Sequence, residues 1–155
     1  ETHVVIWQLR RRRNMSDFGY LLLLTSDAPS GSELGQPAQA IAAAIAESGI
    51  QIDSIITGSD ARESAVVNRA LEELGKLPRD IIADDRLRDS LSVSEFYEDR
   101  VVPMLLQRQS VVIIARSWVT SRLREYMDPQ FVDTERQEPT LYRFDKDLNA
   151  IRNHR

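Results

Sequence analysis

The chain has 155 residues, 28% of them charged and 42% hydrophobic, with a formal net charge of -4. That length fits one domain with a real core, and the acidic balance gives no general attraction to nucleic acid or to an anionic membrane. The absence of cysteine excludes disulfides, thiol catalysis and cysteine-based metal sites.

The rest of the inventory narrows the chemistry further. Of the 20 basic residues only Lys76 and Lys146 are lysines, and arginine makes bidentate contacts with carboxylate and phosphate that lysine does not. The two histidines, His3 and His154, stand at opposite ends of the chain. No histidine cluster therefore offers a zinc site, and no metal or other cofactor is expected. No apolar run, Tyr20 to Leu24 included, is long enough to span a membrane. No signal peptide is visible, and the chain opens at Glu1 rather than Met, as a processed or truncated N-terminus would.

Val4 to Trp7 is a continuous apolar run, as expected of a strand buried on both faces. Arg10 to Arg13 follow, then a stretch containing Ser, Asp, Gly and Pro runs to Gly31, interrupted by Leu21 to Leu24, which reads as a short buried or interface segment. Ser32 to Ser48 reads as a helix, with Ser32 as N-cap, Pro37 in its first turns and Gly49 as the residue that ends it. Ile52 to Thr57 is a second strand, Ala61 to Gly75 a second helix with Val66, Ala70, Leu71 and Leu74 inward, and Ile81 to Ala83 begins a third strand. Ser94 to Gln109 reads as helical, with a kink or restart at Pro103. Val111 to Ala115 is the most apolar strand, Ser117 to Met127 the next helix, and Asp128-Pro129 its end. Leu141 to Phe144 alternates like an edge strand and Asp145 to Leu148 turns.

Strands alternating with helices imply βαβ units: a three-layer α/β/α sandwich around a mainly parallel sheet. No repeat or linker divides residues 1–155, so they are read as a single domain. Ligand sites in such sheets lie at the carboxyl ends of the strands. Three such ends stand out: Gln8-Leu9-Arg10, Thr57 to Arg62, and Arg116-Ser117-Trp118.

At those ends the sequence resembles the histidine phosphatase superfamily, the phosphoglycerate-mutase-like proteins. Asp53 to Arg62 resembles that family's strand-turn-helix closing on a phosphate-binding arginine, and the likeness runs on through Leu71 to Leu74. Arg100-Val101-Val102-Pro103 resembles the family's "RVxP" helix, and Ser110 to Arg116 the strand that carries the second catalytic histidine. Pro139 to Leu148 resembles its closing strand, and the short Ser90 to Tyr97 region is similar to the smaller phosphatases. The resemblance implies a histidine-phosphatase fold, with departures where the chemistry should be. The family's Arg-His-Gly aligns with Trp7-Gln8-Leu9, its second His-Gly with Arg116-Ser117, and its acidic proton donor with Asp89.

A covalent phosphoryl intermediate needs a nucleophilic lone pair. The amide nitrogen of Gln8 has none, and the Arg116 guanidinium stays protonated. Ser59 or Ser117 could attack only beside a base, and no histidine lies near them in sequence. The expectation is a pseudoenzyme with no catalytic residues, serving as a structural or interaction subunit of a larger assembly, soluble and intracellular, mitochondrial or cytoplasmic. The alternatives left open are a phospho-ligand-binding regulatory module, with phosphate or a phosphorylated ligand held by Arg62, Arg116, Arg10 and Ser117, and an active phosphatase or mutase with atypical residues. If the remnant site binds no ligand, Arg116 instead pairs with Asp60 or Asp89 and plugs it. Trp7 and Trp118 read as buried packing residues. Without aromatic interleaving, sequence-specific nucleic-acid binding by Arg10 to Arg13 is not expected.

Overall fold

The structure, a computed structural model, describes residues 19–26, 35–75, 80–88, 91–128, 139–145 and 147–152. Its elements in chain order are β1 (Gly19–Thr25), α1 (Gly35–Ser48), β2 (Ser54–Thr57), α2 (Ala61–Leu74), β3 (Asp80–Ala83), a 3₁₀ turn (Asp85–Arg88), α3 (Val93–Phe96), a π-helical turn (Tyr97–Val101), α4 (Val102–Leu106), β4 (Ser110–Ala115), α5 (Ser117–Met127), β5 (Thr140–Phe144) and β6 (Ala150–Arg152).

Six strands form one sheet in the order β3-β2-β4-β1-β5-β6. β1 pairs parallel with β4, as β2 does with β3 and β4, while β5 and β6 run antiparallel at the far side. Side chains alternate across the pleat. Leu22, Leu24, Ile55, Val112 and Ile114 meet α1 and α2 on one face, whereas Leu21, Leu23, Ile56, Val111 and Ile113 meet Leu87, residues 93–105 and α5 on the other. Both faces of β1 and β4 are thus covered, which is why these strands are near-continuous apolar runs. The result is the α/β fold with a mainly parallel sheet that the alternation of elements implies.

Several details depart from the sequence reading. Val4 to Trp7 lies outside the described residues. The strand beside β4 is Gly19–Thr25, so the run read as a short buried or interface segment is a central strand. The helical irregularity falls before Pro103, in the π turn. Pro103 then occupies the first turn of α4, where its missing N–H costs least. Leu141 to Phe144 is not the edge, because β6 continues the sheet beyond it. The turn between them is built by Asp145 Oδ1, which accepts the backbone N–H of Asp147 and of Asn149, both at 2.9 Å.

Candidate functional site

The parallel strands bring their carboxyl ends to one edge: Thr57 lies opposite Ile114 and Ala83, and Thr25 opposite Ala115. Beyond β1, the Ser26 N–H donates to the Ala115 carbonyl at 2.8 Å. At this edge a cleft of about 460 Å³ is lined by Ser59, Asp60, Glu63, Leu87, Arg88, Arg116 and Trp118.

Asp60 caps α2. Its Oδ1 accepts the Arg62 backbone N–H at 2.8 Å, and its other oxygen accepts Nη2 of Arg116. That N–H and the Arg116 guanidinium hold the Asp60 carboxyl below its ordinary range. Three residues on, Glu63 turns its carboxylate inward, only 3% exposed, with Oε1 4.0 Å from Arg116 Nε. Gly58 makes room for it, since a Cβ there would lie 2.5 Å from Glu63 Oε1. Arg116, the residue that follows β4, is therefore bracketed by two carboxylates of α2. The spacing Asp60-Ala61-Arg62-Glu63 matches an acidic N-cap followed three residues later by Glu, a signal that could have placed Glu63 here.

The opposite wall is held by an ion network at the end of β3. The Asp84 N–H donates to the Thr57 carbonyl at 2.9 Å. Its buried carboxylate accepts Arg86 Nε and Nη2, both at 3.1 Å, and lies 3.5 Å from Arg100 Nε. Burial pushes the Asp84 carboxyl up, but the hydrogen bonds and charge of Arg86, with Arg100, outweigh it and leave it lowered. Arg86 also reaches Asp99 at 2.9 Å and lies over the Phe96 ring, 5.8 Å from its centre. This network fixes the turn that presents Leu87 and Arg88 to the cleft.

Of the residues singled out in sequence, the structure brings Arg116 into the cleft and pairs it with Asp60. Arg62 is exposed and is not among the described lining residues, because the 100° step along a helix turns Glu63 inward instead. Ser117 opens α5, and its carbonyl accepts the Thr120 hydroxyl at 3.0 Å; it too is not among the described lining residues. Trp118 is not buried packing: it is 38% exposed and lines the cleft. Gln8, Arg10 and Asp89 lie outside the described residues. The strand end delivered next to β4 is Thr25-Ser26.

The described lining offers two carboxylates, two guanidiniums and one hydroxyl, formally neutral in sum. Asp60 is a weak base for Ser59, since its affinity for a proton is lowered. Within this described lining Arg116 is engaged by the two carboxylates of α2.

The fold has clear relatives among solved structures. A phosphoglycerate mutase from Plasmodium falciparum superposes with a TM-score of 0.65 at 12% identity, covering 88% of this chain and 89% of that one. The protein histidine phosphatase SixA, complexed with tungstate, gives 0.63 at 11% identity, over 87% and 94%. A putative phosphohistidine phosphatase SixA from Agrobacterium tumefaciens gives 0.56 at 17%, over 88% and 96%. The chain has the phosphoglycerate mutase and histidine phosphatase fold. No protein-family model and no curated protein matches the sequence. The order of motifs from Asp53 to Leu148 thus carries fold-level information that overall identity hides.

Proposed function

We propose that this histidine-phosphatase-like domain is catalytically inactive and acts as a structural or interaction subunit of a larger intracellular assembly, mitochondrial or cytoplasmic. The observation that supports this reading is the Arg116–Asp60 pair. The strand end at which the resemblance calls for a catalytic histidine carries a guanidinium, and that guanidinium is engaged by a carboxylate of α2. A guanidinium cannot attack phosphorus at neutral pH.

One neighbour of this fold is complexed with tungstate, an oxyanion. An oxyanion entering the described cleft of this chain would meet the carboxylates of Asp60 and Glu63 and would have to displace the first from Arg116. Two carboxylates in place weigh against a phosphate receptor as the main role. Purified protein is expected to release no inorganic phosphate above a blank from phosphomonoesters or from a phosphohistidine-containing peptide. Turnover that persists through repeated purification and is abolished by Arg116→Ala would overturn the reading.

A further inference from the structure

The helical segment from Val93 to Leu106 buries Val93, Tyr97, Val101 and Leu105 in one core cluster. On an α-helix each step of four residues drifts about 40°, so three such steps would carry Leu105 about 120° away from Val93. The π turn removes most of that drift. The Val102 N–H donates to the Tyr97 carbonyl, five residues back, and the residue so inserted takes up about 100°. The buried stripe thus requires the insertion, and the outward residues of the turn decide how firmly it is held.

Each residue of the turn leans on another element. The Tyr97 ring meets the Tyr126 ring of α5 edge-on, with centroids 5.6 Å apart. Glu98 accepts the hydrogen bond of the Tyr126 hydroxyl. Asp99 Oδ2 accepts Arg86 Nη1 at 2.9 Å, and Arg100 Nε lies 3.5 Å from Asp84. Val101 is fully buried. The first two residues are therefore tied to α5 and the next two to the end of β3. Tyr126 is half-exposed, while Arg86 is followed directly by the two residues of its turn that line the cleft, Leu87 and Arg88. Among the described residues no hydrogen bond, ion pair or ring contact joins Arg86 to Tyr126 directly.

We propose that the π turn is a two-state coupler between the Tyr126 face of α5 and the Leu87–Arg88 wall of the cleft. In its closed state the Glu98 tie, the Asp99 tie and the bond from Val102 to Tyr97 are all made. In its open state the segment gives up that bond and both ties together. Glu98 and Asp99 are neighbours in the chain, so a backbone shift that frees one carries the other. The π hydrogen-bond pattern is rare in helices, and here it is braced from outside at both ends. Any contact that takes the Tyr126 hydroxyl from Glu98 then loosens Arg86 and the wall after it. Coupling of this kind runs through an element with two arrangements that both ends bias, and it is reciprocal. The inference stands on these contacts alone and holds whether or not the cleft turns over phosphate.

The test is amide hydrogen exchange, read residue by residue by NMR on the full chain. Tyr126→Phe keeps the ring and removes the hydroxyl; Asp99→Ala removes an exposed carboxylate. Three amides report: Val102, which makes the π bond, Leu87, which donates to the Asp84 carbonyl at 3.2 Å, and Ile113 in the middle of β4 as a measure of global opening. Each single variant should speed exchange about tenfold at Val102 and at Leu87 and leave Ile113 unchanged, as local opening does. In the double variant the rise should fall about tenfold short of the product of the two single effects, because the first substitution has already released the second tie. An unchanged Leu87 amide in Tyr126→Phe would overturn the coupling, since that side chain would then act on α5 alone. A double-variant rise equal to the product would overturn it too, by showing two independent ties. An equal rise at Ile113 would overturn it as well, by showing that the substitutions loosen the whole domain.

Discussion

Replacing Gly58 with Ala probes the cleft floor. The new methyl would sit 2.5 Å from Glu63 Oε1 and 3.0 Å from its Cδ, well inside contact distance. Glu63 is buried, so its carboxylate can retreat only by leaving Arg116 or by pushing the β2–α2 turn outward. Such overpacking costs about 1–3 kcal/mol. Gly58 is not among the positive-φ glycines, so Ala fits its backbone. Restricting the unfolded chain then returns about 0.4–1 kcal/mol. The net is a loss of about 1–2 kcal/mol, or a Tm lower by roughly 3–6 °C for a domain of this size. Glu63→Ala removes the obstacle, and in that background Gly58→Ala should be neutral or stabilising. Thermal melts of the wild type, both single variants and the double variant read this sign reversal as a coupling between the two sites. Equal destabilisation by Gly58→Ala in both backgrounds would refute the placement of the Glu63 carboxylate.

Three further outcomes follow from the same contacts. Tyr142→Phe removes a buried hydroxyl that donates to Asp128 Oδ2 at 3.0 Å, and should cost about 1.5–3 kcal/mol in urea unfolding, as for a bond to a charged group. Asp84 has a lowered carboxyl in the fold, so the unfolded chain takes up that proton first as pH falls. Its contribution is complete above the unfolded value of about 4 and is lost as pH drops through the folded one. Between about pH 5 and 3 the wild-type Tm should therefore fall more steeply than that of Asp84→Asn. Finally, phosphate and sulfate should raise the wild-type Tm only in a shallow, linear way, as excluded anions do. Arg116→Ala, with no added anion, should lower stability by about 1 kcal/mol by taking a cation from the buried Glu63; a saturable phosphate response lost in this variant would instead reveal an oxyanion site.

Much of the fold was legible because its signals are local. β4 is a six-residue run buried on both faces, α2 has an acidic cap and ends at Gly75 with a φ of 66°, and α5 starts and stops where Ser117 and Asp128 say it should. The first strand was not. Val4 to Trp7 and Leu21 to Leu24 are equally apolar, and periodicity cannot say which pairs with β4; only the ladder from Tyr20 to Thr25 does. β6 has three residues, too few for a pattern. In the cleft, the pairing of Arg116 with Asp60 was one of two partners the sequence allowed. Glu63 rather than Arg62 lines the cleft, because a helix N-terminus shows which residues are near a strand end but its phase decides which one faces inward; Arg88 reaches the cleft from the 3₁₀ turn after β3, which has no comparable pattern in sequence.

The proposal that the Arg116–Asp60 pair stands where phosphoryl transfer would require a nucleophile is tested most directly by searching for a phosphoenzyme. The purified chain is incubated with a phosphomonoester and with a phosphohistidine-containing peptide, quenched without acid and analysed as intact protein by mass spectrometry. An unmodified mass at every time point is the predicted result. A phosphorylated species that forms with substrate and decays on its removal, on any residue, would contradict it.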